Sequence, residues 1–84
     1  MNQKVDVPVS VLLYFNAKER SVRPLKLLWD AREYSISKIG LHHTYYQGKT
    51  FFHVYSVIAN NVFFKLIFDT NTLFWRLEEI SNEF

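Results

Sequence analysis

Eighty-four residues, 49% of them apolar and 21% charged, suffice for one small globular domain and exclude a disordered chain. The absence of cysteine excludes disulfide scaffolds and thiolate zinc sites. The net charge of +2 is uneven, +4 over residues 1–50 and −2 over residues 51–84, which permits an anionic partner without requiring one.

The unusual feature is aromatic content, with eight Phe, five Tyr and two Trp. Each ring buries about 150–250 Å², so they can build a dense core in a short chain. The longest apolar run near the start, residues 11–15, is too short for a signal sequence or a membrane span. The expected setting is therefore soluble and cytoplasmic, with no membrane partner.

Residues 5–15 alternate with a period of two. Val5, Val7, Val9, Val11, Leu13 and Phe15 share one face, which predicts a single long strand with one buried side. Pro8 lacks the N–H that a central strand must donate, so this strand belongs at a sheet edge. Residues 16–22 read as a polar loop. It opens a basic cluster of Lys18, Arg20, Arg23 and Lys26, interrupted by Glu19.

Residues 23–29 form the next strand, and Asp30-Ala31 is placed as a two-residue hairpin loop. That register pairs Trp29 with Arg32, Leu27 with Tyr34 and Leu25 with Ile36, gathering the large apolar groups on one side. It also predicts the Arg32 guanidinium across the Trp29 ring. After Ile36 the apolar phase slips by one residue, so a bulge and a sharp bend are expected near residues 38–40, where Gly40 sits. Gln47-Gly48 is placed as the next turn, aligning Leu41 with Val54 and His43 with Phe52.

A three-residue loop at Ala59-Asn60-Asn61 then aligns Phe52, Val54 and Ile58 with Val62, Phe64, Leu66 and Phe68 as core. A turn over residues 69–72 adds Leu73, Trp75 and Leu77 to that face. No helix longer than a turn and no repeat is visible. The expected fold is all-β: a six-stranded antiparallel meander over residues 1–84, forming a strongly bent sheet or a small, partly open barrel.

The segment PLKLLWDAREYSI at residues 24–36, the apolar strand 63–69 ending in Asp, and WRLEEI at residues 75–80 resemble a family of small bacterial β-domains of unknown function. The family pattern is Trp-x-Gly-Arg-x-Tyr followed by Val or Ile, a middle hairpin, an apolar strand ending in Asp, and Trp-x-Leu. Trp29, Arg32, Tyr34, Asp69, Trp75 and Leu77 match it. Ala31 stands where the pattern has Gly, and Ser35 and Ser37 stand where basic residues are frequent. Some members are associated with translesion DNA polymerases, so the resemblance implies a bacterial accessory domain that works near nucleic acid.

Catalytic constellations are weak. His42 and His53 face each other directly in the expected register, but two imidazoles without a carboxylate fall short of the three or four ligands a zinc site needs. The serines lack a nucleophile-elbow context. Glu78, Glu79 and Glu83 read more simply as solvated carboxylates, and two isolated glycines make no phosphate loop. The expectation is a non-enzymatic binding module without cofactor or metal.

Its expected surface is the outward face of the last three strands: Phe51, Tyr55, Phe63, Lys65, Ile67, Phe74 and Arg76, together with His53 and Val57. Rings flanked by Lys65 and Arg76 would make a stacking platform for single-stranded nucleic acid. The same face would alternatively serve a protein partner or a homodimer.

Overall fold

The computed structural model describes residues 2–82. Among the described residues there are seven strands and no helix: β1 (Asn2–Pro8), β2 (Ser10–Asn16), β3 (Ser21–Trp29), β4 (Arg32–Gln47), β5 (Thr50–Ala59), β6 (Val62–Asp69) and β7 (Trp75–Ser81). Every pairing is antiparallel, and the sheet order is β1-β7-β6-β5-β4-β3-β2. Among the described residues no helix is long and apolar enough to cross a membrane.

The strand expected over residues 5–15 is two strands, which raises the count from six to seven. They break at Val9 and lie at opposite ends of the sheet, β1 on β7 and β2 on β3. Pro8 explains the break, because a residue without an N–H can end a ladder but cannot continue it. Val9 donates its own amide to Trp75 O at 3.2 Å. The sheet thus coils until its outer strands follow one another in the chain, yet no ladder joins β1 to β2, so the barrel is not closed.

β4 performs the same bend from inside the sheet. Its first residues pair with β3, from Arg32 to Ser35, and the remainder with β5, from Ile36 to Gln47. Register shifts between Ile36 and Lys38 and between Ile39 and Leu41 leave Ser37 and Gly40 as extra residues. The expected single slip is therefore a pair of bulges, which together turn the strand and restore its phase.

The hairpin turns fix which residues face inward. Asp30 and Ala31, at φ 53° and 60°, form the expected two-residue loop with Trp29 opposite Arg32 and Leu27 opposite Tyr34. The Arg32 guanidinium lies 5.7 Å over the Tyr34 ring rather than across Trp29. The next turn is Gly48-Lys49, not Gln47-Gly48, because only Gly48 takes a positive φ and the first loop position is where it is needed. His43 is accordingly opposite Val54, and His42 opposite Tyr55.

Asn60 and Asn61 are both left-handed, φ 51° and 62°, so this loop holds two residues and Ala59 pairs with Val62. Asn tolerates that conformation at both positions, which removes the need for a third residue. The one-residue change turns β5 over relative to expectation. Tyr55, Val57 and Ala59 face inward with Phe64 and Leu66, while Phe52, Val54, Ser56 and Ile58 lie on the other face with Asp69, Ile67, Lys65 and Phe63, where Val54 and Ile67 are nonetheless buried.

The core joins both sides of the coil. Leu27 and Tyr34 from β3 and β4 pack with Tyr55, Val57, Phe64, Leu66, Trp75 and Leu77, and Val5, Val7, Val9 and Val11 cover them. Phe64 is the central contact, 4.9 Å from the Tyr34 ring and 6.4 Å from that of Trp29. At the last turn the Asp69 carboxylate accepts the amides of Asn71 and Thr72 at 2.8 and 3.2 Å. Leu73 there is left-handed and exposed, so it does not join Trp75 and Leu77 in the core.

Candidate nucleic-acid interface

The β3–β4 ladder ends at Lys26, with Pro24 still buried, so the far part of the β2–β3 hairpin has no third strand paired to it. A bulge at Leu25 lets Leu13 pair with Pro24, Tyr14 with Arg23 and Phe15 with Val22. Leu13 and Phe15, expected in the buried face of the first strand, are instead exposed, Phe15 to 61%. The alternation holds through Val11 and then runs past the last strand that could cover it.

The hairpin tip is ordered by one side chain. Asn16 Oδ1 accepts the amides of Lys18 and Glu19, both at 3.1 Å, and Asn16 Nδ2 donates to Glu19 Oε1 at 3.0 Å. Arg20 completes the turn at φ 54°. Lys18 and Arg20 are thereby held at the tip, and the Arg23 guanidinium sits 5.8 Å over the Tyr14 ring. Among the described residues no carboxylate forms an ion pair with Lys18, Arg20 or Arg23, whereas Lys26 bonds Glu33 at 3.0 Å. Three cations without an ion pair and two exposed rings, Tyr14 and Phe15 on opposite faces, therefore share one hairpin.

The face expected to bind is differently built. Tyr55 is 5% exposed, in the core, and its burial pushes the phenol pKa up. Phe51 is half-buried on the inner face beside Tyr46 and His53. Phe63, Lys65, Ile67 and Arg76 do lie on the outer face, but Ile67 is buried and Phe63 half-buried. Of the expected apolar set only Phe74 is fully presented, at 73%.

The cations of that face are spoken for. Lys65 Nζ bonds Glu78 at 3.0 Å and Glu79 at 3.4 Å; chiefly the Glu78 hydrogen bond raises its pKa. Arg76 Nε meets Asp6 Oδ1 at 2.7 Å. Of the three carboxylates weighed as a catalytic pair, Glu83 lies outside the described residues, and the other two serve Lys65.

The histidines meet diagonally rather than directly across. His42 Nε2 and His53 Nδ1 are 2.8 Å apart, and His42 stacks on Tyr55 at 4.2 Å and 4°. His43 points to the opposite face, opposite Val54. Desolvation, then the neighbouring His53 and His43, lowers the His42 pKa. Among the described residues no three His, Cys, Asp or Glu side chains converge as ligands.

Sequence reasoning located the basic cluster but missed its aromatic companions. Tyr14 and Phe15 alternate like core residues, and the signal that exposes them is the place where β4 leaves β3.

Fold and site together define a small all-β domain with a basic, aromatic hairpin. No protein-family model matches the chain, and neither does any curated protein or solved structure compared with it.

Proposed function

We propose that this chain is a non-enzymatic, cytoplasmic bacterial binding domain whose β2–β3 hairpin takes single-stranded nucleic acid. The observation that carries the reading is the joint exposure of Tyr14 and Phe15 with the unpaired Lys18, Arg20 and Arg23. Cations that track a phosphate backbone beside rings that stack bases are the recurring chemistry of sequence-tolerant strand binding. The resemblance to domains associated with translesion DNA polymerases supports the same assignment.

A labelled single-stranded oligonucleotide should bind the full chain with an affinity that falls as salt rises. Neutralising about three phosphates gives a slope of roughly −2 in log K against log salt. Phe15→Ala should cost about 1–3 kcal/mol of binding, as loss of one stacked base does. Arg20→Ala with Arg23→Ala should flatten the slope. Salt-independent binding, or a folded Phe15→Ala variant that binds unchanged, would overturn the reading.

A second reading rests on the exposed Leu12, Leu13, Val22 and Leu28 of the same hairpin, which suit an apolar interface with another copy. Sedimentation separates the two, since such a dimer would persist at high salt and dissolve in Leu12→Ser.

A further inference from the structure

We propose that the open edge of β4 binds an extended, acid-flanked peptide of a protein partner by strand addition, independently of the hairpin. β4 is 16 residues long; its ladder with β3 ends at Ser35, while its ladder with β5 continues to Gln47. Over residues 41–47 one side of the strand is bonded to β5, and the other meets no strand among the described residues.

Bonded and non-bonded pairs alternate along an antiparallel ladder, and the pair closing a two-residue loop is a bonded one. Gln47 and Thr50 are that closing pair. Gln47, Tyr45 and His43 therefore direct their main-chain groups to β5, and Tyr46, Thr44 and His42 direct theirs outward.

Native sheets usually blunt such edges with charge, proline or a bulge. The β1 edge follows the rule, with Lys4, Asp6, Pro8 and a register shift, whereas β2 carries neither charge nor proline and the extra residue beside it, Leu25, belongs to β3. Residues 41–47, LHHTYYQ, continue in register and contain no Lys, Arg, Asp, Glu or Pro. Leu41 and Tyr45 on one face and Tyr46 on the other are exposed, offering an added strand apolar neighbours on both sides.

The ends of the edge select the occupant. Lys38 precedes it and Lys49 follows it, and no Asp or Glu occurs in the sequence between Glu33 and Asp69. Only outward-directed residues can pair across the new ladder, so a second copy would turn about an axis through a residue such as Thr44. That brings Lys38 of each copy to the same end as Lys49 of the other and gathers like charges there. A peptide with acidic ends meets both lysines favourably.

The probe is a fluorescein-labelled peptide, Asp-Glu-Val-Tyr-Val-Ile-Val-Glu-Asp, compared by anisotropy with its counterpart carrying Lys for each acidic residue. The acid-ended peptide should bind the full chain saturably, and the Lys-ended one at least about tenfold more weakly. Thr44→Pro removes an outward amide that the fold does not use, so the circular dichroism should persist while binding is lost. Should that variant fail to fold, Lys38→Glu with Lys49→Glu carries the test and should reverse the peptide preference.

Four outcomes would overturn the assignment. They are no saturable binding by either peptide, unchanged binding by folded Thr44→Pro, displacement of the peptide by a single-stranded oligonucleotide, or a dimer in sedimentation that Thr44→Pro abolishes.

Discussion

Ala31 holds a left-handed backbone, at φ 60°, beside Asp30 at 53°. For a residue with a Cβ this region costs roughly 1–2 kcal/mol, which Asp and Asn offset in part through local hydrogen bonding and Ala does not. Ala31→Gly should therefore raise the urea midpoint by about 1 kcal/mol of stability with the m-value unchanged, after allowing for the looser unfolded chain. Asn61→Gly, at the equivalent place in the β5–β6 loop, should gain less. A fall in the midpoint for Ala31→Gly would show that its Cβ makes a contact worth more than the strain. His42 makes the second residue-scale prediction. Its folded pKa lies below the usual value of about 6.5, chiefly through desolvation and then through His53 and His43. The unfolded chain takes up that proton first as pH falls, so stability is full above about pH 6.5 and declines below it until the folded group also protonates. His42→Gln should flatten the decline in urea midpoint between neutral pH and about pH 5, and an unaltered slope would assign it to other groups.

At the scale of elements, what could be read from sequence depended on whether local chemistry had one solution. Asp30-Ala31 had one: a single register gathers Leu27, Trp29 and Tyr34, and that register is present. The Asn60-Asn61 turn had two. β5 is apolar on both sides, with Phe51, Tyr55 and Val57 on one and Phe52, Val54 and Ile58 on the other, so hydrophobicity could not arbitrate between loops of two and three residues. The remaining clue was Lys65, which favours whichever register sets it beside a small polar group. Its partner is Ser56. The inward face can be tested with neighbouring residues. Val57 is fully buried against the core cluster, whereas Ile58 is half-buried on the outer face. Val57→Ala should cost about 2 kcal/mol, the burial of one such side chain, and Ile58→Ala distinctly less. Equal costs, or the reverse order, would restore the three-residue loop.

For the molecule as a whole, the decisive features are long-range and had no local signature. Nothing in residues 5–15 announces that the two halves of one alternating run lie on opposite edges; only the position of Pro8 hints at a break. The aromatic hairpin was illegible for the same reason, because exposure of Tyr14 and Phe15 depends on where β4 turns from β3 to β5. Those two crossings have a thermodynamic consequence. One group of ladders is β2, β3 and the start of β4; the other is the rest of β4 with β5, β6, β7 and β1. The chain passes from one to the other at Val9 and again at Ile36, and Phe64 bridges them by touching Trp29 and Tyr34. Neither group can open without exposing the core face of the other, so unfolding should be a single transition despite the split in the sheet. The two tryptophans fall one in each group, Trp29 on β3 and Trp75 on β7, and so report each separately. In Trp75→Phe, fluorescence follows the β2–β3 side; in Trp29→Phe it follows the β6–β7 side. Each substitution shifts stability on its own account, so the comparison belongs within a variant rather than between them. In both, the fluorescence and far-ultraviolet circular dichroism curves in urea should coincide in midpoint and slope. A fluorescence transition in Trp75→Phe that precedes the loss of circular dichroism would mean that β2 and β3 detach first, leaving the coil joined only through β4.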